Sequence, residues 1–415
     1  MAVLGIVAEF NPFHNGHLHL LQQSRLSGNF SATVCVMSGS FMQRGEPALC
    51  NKWARAKMAL GSGVDLVIEL PFCFSVRSAY YFARGAIQLL ARTGVVTHVA
   101  FGSESGNLDT LKPLSRIITT EPLGFQQHLK HYLGQGLSYP VARACALEQY
   151  LHGQINNLKD IMASPNNILA LEYLRVIDEN SLSLVPLTVT RDDSGYHSTV
   201  LNPVASASAI RHALENRQKL DSIASSLPAG SLAILKEEIE QGRAPVTYDA
   251  LSPLILANLR TSSPEKLRNI YEVSEGLEYR IIQSAQMCGA INELTHSIKS
   301  KRYSLTRVNR ILLYSLCDLA KDQIEVFDKC GPLYLHILGF SSKGRKILQM
   351  IQNKSKIAVF NRGKDVKAVM NGKSNIMQQM LKLDIKATDL YTLLYPTPGQ
   401  RKGCQDFTTS PVVYV

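Results

Sequence analysis

The sequence predicts an α/β fold, with a doubly wound parallel sheet in an N-terminal domain and a mainly helical C-terminal region. Short apolar runs rich in β-branched residues alternate with helix-periodic segments through the first part of the chain. Several of these runs end in turns that contain glycine, proline or asparagine. Beyond residue 215 the alternation gives way to helical segments. We therefore predict an α/β domain over 1–215 and a mainly helical region over 216–415, with a small β-α-β piece near 333–360.

The strands predicted for the first domain are short and apolar, as in a buried parallel sheet. They are 2–8, 32–37, 63–71, 97–101 and 184–190. Proline, which cannot donate a hydrogen bond to a sheet, follows the first run at Pro12 and closes the third at Pro71. Helical patterns follow the strands. They start at residue 18, cover 51–62, 78–90 and 108–154, and include segments that open at 164 and near 206. Further helices are predicted at 248–259, 276–287 and 305–319, after linker-like stretches at 222–231 and 241–247.

Composition narrows the class of protein. The chain has 415 residues, a formal net charge of +11 and a sequence pI of about 9.2, which suits a polyanionic partner. Its 8 cysteines form no C-x-x-C pair, so we expect reduced thiols in a cytoplasmic protein. No apolar run has the length of a membrane helix, and the first residues enter a strand directly, so neither a membrane span nor secretion is predicted.

The stretch from residue 7 to residue 20 combines a strand end, an Asn-Pro turn and a helix start. The free N–H groups and the dipole of a helix N-terminus favour an anion there. Gly16 lets a ligand approach the backbone, and His14 and His17 add donors that suit the α-phosphate of a nucleoside triphosphate. The alternative is that His14 is a local cap and His17 a surface residue. A zinc site is disfavoured because no H-E-x-x-H is present.

Turns that follow other strands supply further candidates, because ligands bind at the carboxyl edge of an open parallel sheet. Arg44 and Glu46 flank a glycine in the loop after the second strand, and we expect them to face the site. The alternative interpretation is that Arg44 and Glu46 belong to an exposed polar turn without a role in binding. Gly102 follows the fourth strand as a point of close backbone approach, predicted to be toward nucleotide.

Polar residues farther along complete the predicted anion site. Asn166 stands at a helix start, where it caps the helix or hydrogen-bonds adenine or ribose. Arg191 ends the fifth strand and suits phosphate, with a surface ion pair as the alternative. Ser206 and Ser208 with Arg211 form a candidate second phosphate clamp, and N-capping is the other role open to the serines.

For charged side chains outside these turns we predict either exposure to solvent or contact with RNA. Lys52, Arg55 and Lys57 in the second helix are candidate cationic contacts, but each is expected to be a solvated charge rather than a ligand. A basic cluster with an interleaved tyrosine suits RNA, although a solvated face is nearly as good an explanation. The candidate tRNA-binding residues of this region are Lys301, Arg302, Arg307, Arg310, Lys343 and Arg345.

Several motifs occurring together resemble one family over nearly the whole chain. They are FNPFHNGH at 10–17, MSGSFMQRGEP at 37–47, GVDLVIELP at 63–71, FGSE at 101–104, PNNIL at 165–169 and QDFTT at 405–409. The chain resembles the bacterial tRNA(Met) cytidine acetate ligase family, within the nucleotidyltransferase superfamily that carries H-x-G-H. The resemblance implies a Rossmann-like catalytic domain. It also implies an ATP-dependent ligase that acetylates N4 of the wobble cytidine of elongator tRNA(Met) from acetate and ATP, through acetyl-adenylate.

The resemblance also implies the residues of the site. His14 and His17 would be catalytic. Independently of the resemblance, the reaction chemistry makes Mg²⁺ a candidate ion that bridges the pyrophosphate, but the sequence shows no cluster of ligands for it. The second clamp departs from the superfamily's serine–serine–threonine pattern, because Ala207 separates the two serines and Ser208 stands where threonine is usual. The implied ATP-binding residues are Val7, Ala8, Glu9, Phe10, Asn11, Pro12, Phe13, His14, Asn15, Gly16, His17, Leu18, His19, Leu20, Gly102, Asn166 and Arg191.

The sequence is also compatible with two other functions. One is an adenylyltransferase that acts on a phosphorylated small molecule, which would not need the basic C-terminal half. The other is a nucleotide-gated RNA-binding protein without turnover. Pyrophosphate release on adding acetate and ATP without RNA would separate both from the ligase.

Overall fold

The sheet has eight strands, in a computed structural model that describes residues 1–155, 157–191, 206–216 and 218–415. The strands are β1 (Ala2–Ala8), β2 (Phe30–Ser38), β3 (Leu66–Leu70), β4 (His98–Ser103), β5 (Val185–Thr190), β6 (Tyr334–Ser341), β7 (Ala358–Phe360) and β8 (Val412–Tyr414). Their spatial order is β5-β4-β1-β2-β3-β6-β7, with β8 paired to β6.

Helices cover both faces of this sheet and form most of the C-terminal region. Those up to residue 215 are α1 (Asn15–Leu26), α2 (Lys52–Gly61), α3 (Phe72–Ser75), α4 (Ala79–Arg92), α5 (Leu108–Thr120), α6 (Leu123–Gly134), α7 (Tyr139–Leu151), α8 (Leu158–Ala163), α9 (Pro165–Glu179) and α10 (Ala207–Glu215). Those beyond it are α11 (Ala229–Glu240), α12 (Ser252–Arg260), α13 (Pro264–Asn269), α14 (Leu277–Met287), α15 (Ile291–Ile298), α16 (Leu305–Cys317), α17 (Lys321–Cys330), α18 (Ser342–Lys354), α19 (Gly363–Met370), α20 (Ile376–Thr392) and α21 (Gln405–Thr408).

The five N-terminal strands are parallel, which confirms the predicted fold class. Alternate residues of each strand point to opposite faces, so the apolar runs feed two separate cores. Val34 and Val36 of β2 join one buried cluster, and Cys35 and Met37 join the other. Strand β1 lies between β2 and β4, so the order of the strands reverses there. A crevice at the carboxyl edge of such a reversal is where doubly wound proteins bind ligands.

The small β-α-β piece predicted for the C-terminal region is present, but it extends the N-terminal sheet. Strand β6 pairs antiparallel with β3, and β7 and β8 each pair parallel with β6. The region is otherwise mainly helical, as predicted. A division of the chain after residue 215 stays a prediction, and any such boundary must be reconciled with a sheet that both regions build.

Lys52 is buried, and the prediction of a solvated side chain is wrong for this residue. Its Nζ lies 2.8 Å from Glu69 of β3, 2.6 Å from Asp406 of α21 and 3.1 Å from the Thr388 hydroxyl of α20. Burial opposes charge on the ammonium, but Asp406 and Glu69 raise the pKa of Lys52 above its ordinary value. Burial likewise opposes charge on Glu69, yet Lys52 and then His336 lower its pKa to about 2. This buried cluster joins the C-terminal segment to the sheet.

The stretch 222–231, predicted as a linker, is ordered and packed. A 3₁₀ helix covers Leu220–Ser226, and α11 begins at Ala229. Ile223 is fully buried and anchors this stretch in the core. The linker prediction relied on the high serine content and overlooked this apolar residue. The second predicted linker, 241–247, has no helix or strand. Among the described residues, the chain has no helix with the length and apolarity needed to span a membrane.

Candidate active site

A cavity of about 290 Å³ opens at the carboxyl edge of the sheet, beside the ends of β1, β4 and β5. Most residues predicted from the turns line it. Those predicted residues are Val7, Ala8, Glu9, Phe10, Asn11, His14, His17, Leu20, Arg44, Glu46, Gly102, Asn166, Arg191, Ser206, Ser208 and Arg211. Parallel strands deliver their carboxyl ends to one edge, which is why turns far apart in sequence meet here.

His14 and His17 begin α1 through a reciprocal capping box. The His14 Nδ1 accepts a hydrogen bond from the Gly16 backbone N–H over 3.0 Å, and the His17 Nδ1 accepts one from the His14 N–H over 3.3 Å. The two rings lie 3.9 Å apart between centroids. The capping role considered as an alternative for His14 is therefore present, and both imidazoles also line the cavity.

Both imidazoles are neutral at physiological pH. Burial, followed by the nearby positive charges of Arg191 and Arg211, lowers the pKa of His14 to about 3. Burial and the neighbouring His14 lower the pKa of His17 well below its ordinary value. A neutral imidazole whose Nδ1 accepts a hydrogen bond carries its proton on Nε2. The capping geometry therefore assigns each ring one N–H donor, at Nε2, for a ligand oxygen.

Gly16 provides the space in which the His14 ring lies. A Cβ at Gly16 would stand 2.8 Å from the His14 Cε1 and 3.0 Å from its Nδ1. Any larger residue would force the imidazole away from the helix start. The glycine of the motif is thus explained here by side-chain packing as well as by backbone exposure.

Arg191 reaches the cavity across Gly102 and is held by Asn166. A Cβ at Gly102 would lie 2.9 Å from the Arg191 Cγ, so only glycine lets the side chain cross at this point. The Arg191 Nη1 donates to Asn166 Oδ1 over 2.8 Å. Glu104 in turn accepts from the Asn166 Nδ2 over 2.7 Å and from the Asn167 N–H over 2.7 Å. Glu104 therefore caps α9. It also orients the Asn166 amide, which in turn orients the Arg191 guanidinium.

Arg211 of α10 also lines the cavity. Its Nη1 donates to the Asn11 carbonyl over 3.0 Å, and its Nη2 lies 3.4 Å from Glu46 and 3.5 Å from the Ser208 hydroxyl. Ser206 caps α10 by accepting a hydrogen bond from the Ala209 N–H. The first turn of α10 therefore both contains the helix cap and forms part of the cavity wall.

Glu9 and Arg55 fix the loop that carries Arg44 and Glu46. Glu9 Oε1 accepts the Gln43 N–H over 2.6 Å, and burial raises the pKa of Glu9. Arg55 is fully buried, so the prediction of a solvated side chain is wrong here too. Its Nη1 donates to the Glu9 carbonyl over 2.7 Å and to the Ser38 carbonyl over 3.0 Å, joining the ends of β1 and β2.

Some residues implied by the resemblance do not line the cavity. Phe13 packs against Phe10 in the core, with ring centroids 4.7 Å apart, and His19 is exposed on α1. The Asn15 amide donates to the Ser225 carbonyl over 2.8 Å. Pro12, Gly16 and Leu18 are likewise absent from the cavity lining. For all six residues, contact with ATP stays a prediction.

The apolar part of the cavity was missed by sequence reasoning. It includes Phe82, Phe101, Ile168, Leu169 and Tyr173. Ile168 and Leu169 lie three and four positions after Pro165, hence on the same face of α9, and this spacing could have revealed them. The aromatic residues come from separate elements, and nothing local distinguishes them from core residues. An apolar wall beside hydrogen-bond donors for phosphate suits a nucleotide base.

The predicted tRNA-binding residues lie in different surroundings. Lys301, Lys343 and Arg345 are exposed. Arg302 pairs with Glu275 over 2.5 Å, and Arg307 pairs with Glu272 over 3.3 Å. Arg310 is only 7% exposed, so the structure does not support its predicted phosphate contact. The Cys317 end of the same helix is buried, which shows that α16 is a core helix with one basic end.

A group of potential metal ligands, Glu69, His336 and Asp406, lies away from this cavity. The Lys52 ammonium lies 2.8 Å from the Glu69 carboxylate and 2.6 Å from that of Asp406, and it neutralises them. A divalent cation would face that positive charge at contact distance. The cluster is therefore better described as a buried ion-pair network than as a metal centre.

Comparison with known proteins identifies the family. The family described as HIGH Nucleotidyl Transferase matches residues 1–406. A tRNA(Met) cytidine acetate ligase from Syntrophomonas wolfei is 56% identical over 413 residues, covering 99% of both chains. A protein of the same name from Halothermothrix orenii is 43% identical and covers 98% of both. This chain belongs to the tRNA(Met) cytidine acetate ligase family.

Solved structures agree with this family membership. Apo Thermotoga maritima TmcAL superposes with a TM-score of 0.93 at 36% identity, covering 100% of this chain and 99% of that one. A second crystal structure of the same protein, bound with alpha-thio ATP, gives a TM-score of 0.91 at 35% identity and the same coverage. The family fold is thus present over the full length of the described chain.

Proposed function

We propose that this protein is a tRNA(Met) cytidine acetate ligase, which activates acetate with ATP and transfers the acetyl group to N4 of the wobble cytidine of elongator tRNA(Met). The observation that carries the proposal is the convergence of two neutral imidazole donors and two guanidinium groups on one cavity. A related protein of the same fold holds an ATP analogue, which supports assigning this cavity to ATP. Because its proposed substrate is tRNA, we expect the protein to act in the cytoplasm.

In the first step an acetate oxygen attacks the α-phosphorus of ATP. A bond forms between that oxygen and phosphorus, the bond to the bridging oxygen breaks, and pyrophosphate leaves. Negative charge gathers on the non-bridging oxygens, where the Nε2–H groups of His14 and His17 are suited to donate. Arg191 and Arg211 flank the same space and suit the departing phosphates because a guanidinium binds phosphate through two parallel hydrogen bonds.

In the second step the cytosine amine attacks the acetyl carbonyl of the mixed anhydride. The new C–N bond replaces the bond from the carbonyl carbon to the phosphate oxygen, AMP leaves, and the proton of the nitrogen passes to solvent. Holding the amine against the anhydride converts the step into an intramolecular one, which supplies much of the rate acceleration. No covalent enzyme intermediate is required.

A dedicated magnesium site is not formed by the described residues that line the cavity. Their carboxylates are Glu9, which accepts the Gln43 N–H, and Glu46, which pairs with Arg211. Mg²⁺ prefers several oxygen ligands in octahedral geometry and commonly binds through substrate phosphates. A magnesium requirement therefore stays a prediction, which pyrophosphate release measured with and without Mg²⁺ would test.

The decisive experiment combines two assays on the intact protein. ATP–pyrophosphate exchange without RNA should depend on acetate, and mass spectrometry of tRNA nucleosides after incubation with ATP and labelled acetate should find labelled N4-acetylcytidine. Exchange that needs a phosphorylated small molecule instead of acetate would favour the adenylyltransferase. RNA binding without exchange or transfer would favour a nucleotide-gated RNA-binding protein.

A further inference from the structure

A second recess opens directly beside the nucleotide cavity. It has a volume of about 1080 Å³ and shares Glu46, Ser208 and Arg211 with that cavity. We call this recess the groove. The rest of its lining includes the charged residues Glu215, Asp249 and Arg401 and the polar residues Asn292, His296 and Asn309.

The two walls of the groove come from different parts of the chain. Helix α10 forms one wall, and α15, the first turns of α16 and the segment around Tyr248 form the other. The segment at 394–401 closes one side. A molecule in the groove would therefore touch both the α/β domain and the helical region, and it would reach the cavity at the Glu46–Arg211 pair.

The lining chemistry suits unpaired nucleotides. Asn292, Asn309, Thr295 and Tyr248 carry groups that both donate and accept hydrogen bonds, as the edges of bases require, and His296 adds an exposed imidazole. Sequence-specific RNA recognition uses such groups on bases splayed out of single-stranded loops. The volume of about 1080 Å³ lies at the upper end of the roughly 300–1,000 Å³ of ordinary small-molecule sites. A groove of this size has room for more than one nucleotide.

The loop at the boundary rests on the wall of the groove. Gly45 has φ +83°, and a Cβ there would stand 2.6 Å from the Arg310 backbone N. The loop therefore packs directly on α16 one residue before Glu46. Within the opposite wall, the Tyr248 hydroxyl donates to Asn309 Oδ1 of α16 over 2.8 Å. Helix α16 thus contacts both the loop that borders the cavity and Tyr248 in the wall of the groove.

We propose that the groove holds the unpaired anticodon nucleotides of the tRNA and admits the wobble cytidine to the adenylate past the Glu46–Arg211 pair. This inference rests on the proposed function, because the acetyl group must move from a nucleotide in the cavity to an amine that enters from outside. The groove is a recess that adjoins that cavity and is large enough for the entering nucleotides.

The test places negative charge in the groove without touching the nucleotide cavity. Asn292 and His296 are exposed on α15, and the hydrogen bond between them uses the Asn292 backbone carbonyl, so Asn292→Glu/His296→Glu should fold normally. The matched control is Gln283→Glu/Gln286→Glu, which adds the same charge at positions of α14 outside the groove. The substrate is an anticodon stem-loop RNA with a wobble cytidine, together with ATP and labelled acetate.

The groove variant should keep acetate-dependent ATP–pyrophosphate exchange and lose at least about tenfold in kcat/KM for the RNA, equivalent to about 1.4 kcal/mol. The control should keep both activities. Unchanged kcat/KM in the groove variant, or an equal loss in the control, would overturn the groove as the RNA site. Absence of acetate-dependent exchange in the unmodified protein would instead reject the proposed function, so the two failures are distinguishable.

Discussion

The Arg191 guanidinium is oriented by Asn166, whose side-chain oxygen accepts its Nη1 over 2.8 Å while Glu104 holds the other end of the same amide. The charge that faces the cavity is therefore held in place by a chain of two hydrogen bonds, from Arg191 to Asn166 and from Asn166 to Glu104. A lysine at position 191 would place its charge on a flexible stem without the fork.

Arg191→Ala should raise the KM for ATP by at least about tenfold, because one charge-assisted hydrogen bond contributes about 1.5–3 kcal/mol. Arg191→Lys should rescue poorly. Arg116→Ala, an exposed position of α5, is the matched control and should leave the KM unchanged. Calorimetry of ATP binding gives an independent check, and unchanged affinity in both Arg191 variants would place this residue outside the ATP site.

His14→Ala and His17→Ala should each reduce adenylate formation by about 10²–10³, the usual cost of losing a transition-state donor. Because each ring also caps α1, alanine removes a structural bond as well, and His14→Asn separates the two roles. Asparagine can cap a helix but has no donor at the position of Nε2. We expect His14→Asn to keep its thermal midpoint and still lose activity, whereas His131→Ala on the surface of α6 changes neither. Near-normal pyrophosphate release by His14→Asn would show that His14 has no catalytic role.

The depressed pKa values of the two histidines predict a loss of stability in mild acid. Between the ordinary pKa of 6.5 and the folded pKa of about 3 for His14, the unfolded chain binds protons that the native imidazole does not. Stability is therefore fully present above about pH 6.5 and falls as the pH is lowered, by at most about 1.4 kcal/mol per pH unit for each histidine. Urea unfolding at pH 6.5 and 5.5 measures this slope, and the His14→Asn/His17→Asn protein should show a smaller one. Equal slopes would mean that these rings are protonated in the native state.

Lys52→Met should destabilise the protein by about 3–5 kcal/mol, because it leaves Glu69 and Asp406 buried without their cation. Lys57→Met is the control in the same helix, since its ion pair with Glu237 is exposed and such pairs contribute about 0–1 kcal/mol. Urea midpoints compared at equal m-values test the difference. Equal effects for the two lysines would show that burial of the cluster does not matter energetically.

Lys301→Ala/Arg302→Ala/Arg307→Ala should weaken tRNA binding and flatten its salt dependence, by up to about one unit of slope for each phosphate that the protein no longer neutralises. Arg310 is left unchanged because it is buried, and adenylate formation should survive. The control replaces the exposed Lys112, Arg116 and Lys130 of α5 and α6 by alanine. An unchanged slope in the first variant, or an equal change in the control, would show that these three residues do not bind the RNA.

Local patterns sufficed for the five parallel strands and for the residues at their carboxyl ends. Strand β1 was expected at 2–8 and is Ala2–Ala8, since an apolar β-branched run followed by a proline turn has few alternatives. His14 and Arg191 line one cavity because the parallel topology places the ends of β1 and β5 at the same edge of the sheet. The apolar lining was missed because Phe101 or Tyr173 in a cavity wall has the same local sequence pattern as in a core.

Partners distant in sequence explain the remaining errors. Lys52 looks like a surface charge until Asp406, which follows 354 positions later, is placed beside it. Arg55 likewise is buried because carbonyl groups of Glu9 and Ser38 surround it. The pairing of β6 with β3 joins residues about 270 positions apart, from Leu66 to Phe340, and no periodicity in either strand encodes its partner.

The antiparallel junction between β3 and β6 also constrains how this protein could be made in pieces. A fragment ending at residue 215 would lack β6, so β3, whose five residues are all buried in the whole chain, would become a bare sheet edge. Unpaired apolar edges recruit strands from other molecules. Such a truncated product should self-associate or remain bound to chaperones, even though it retains every histidine and arginine of the nucleotide cavity. Co-expression with a fragment covering 216–415 should restore a monodisperse particle, because the missing strand can then be supplied in trans.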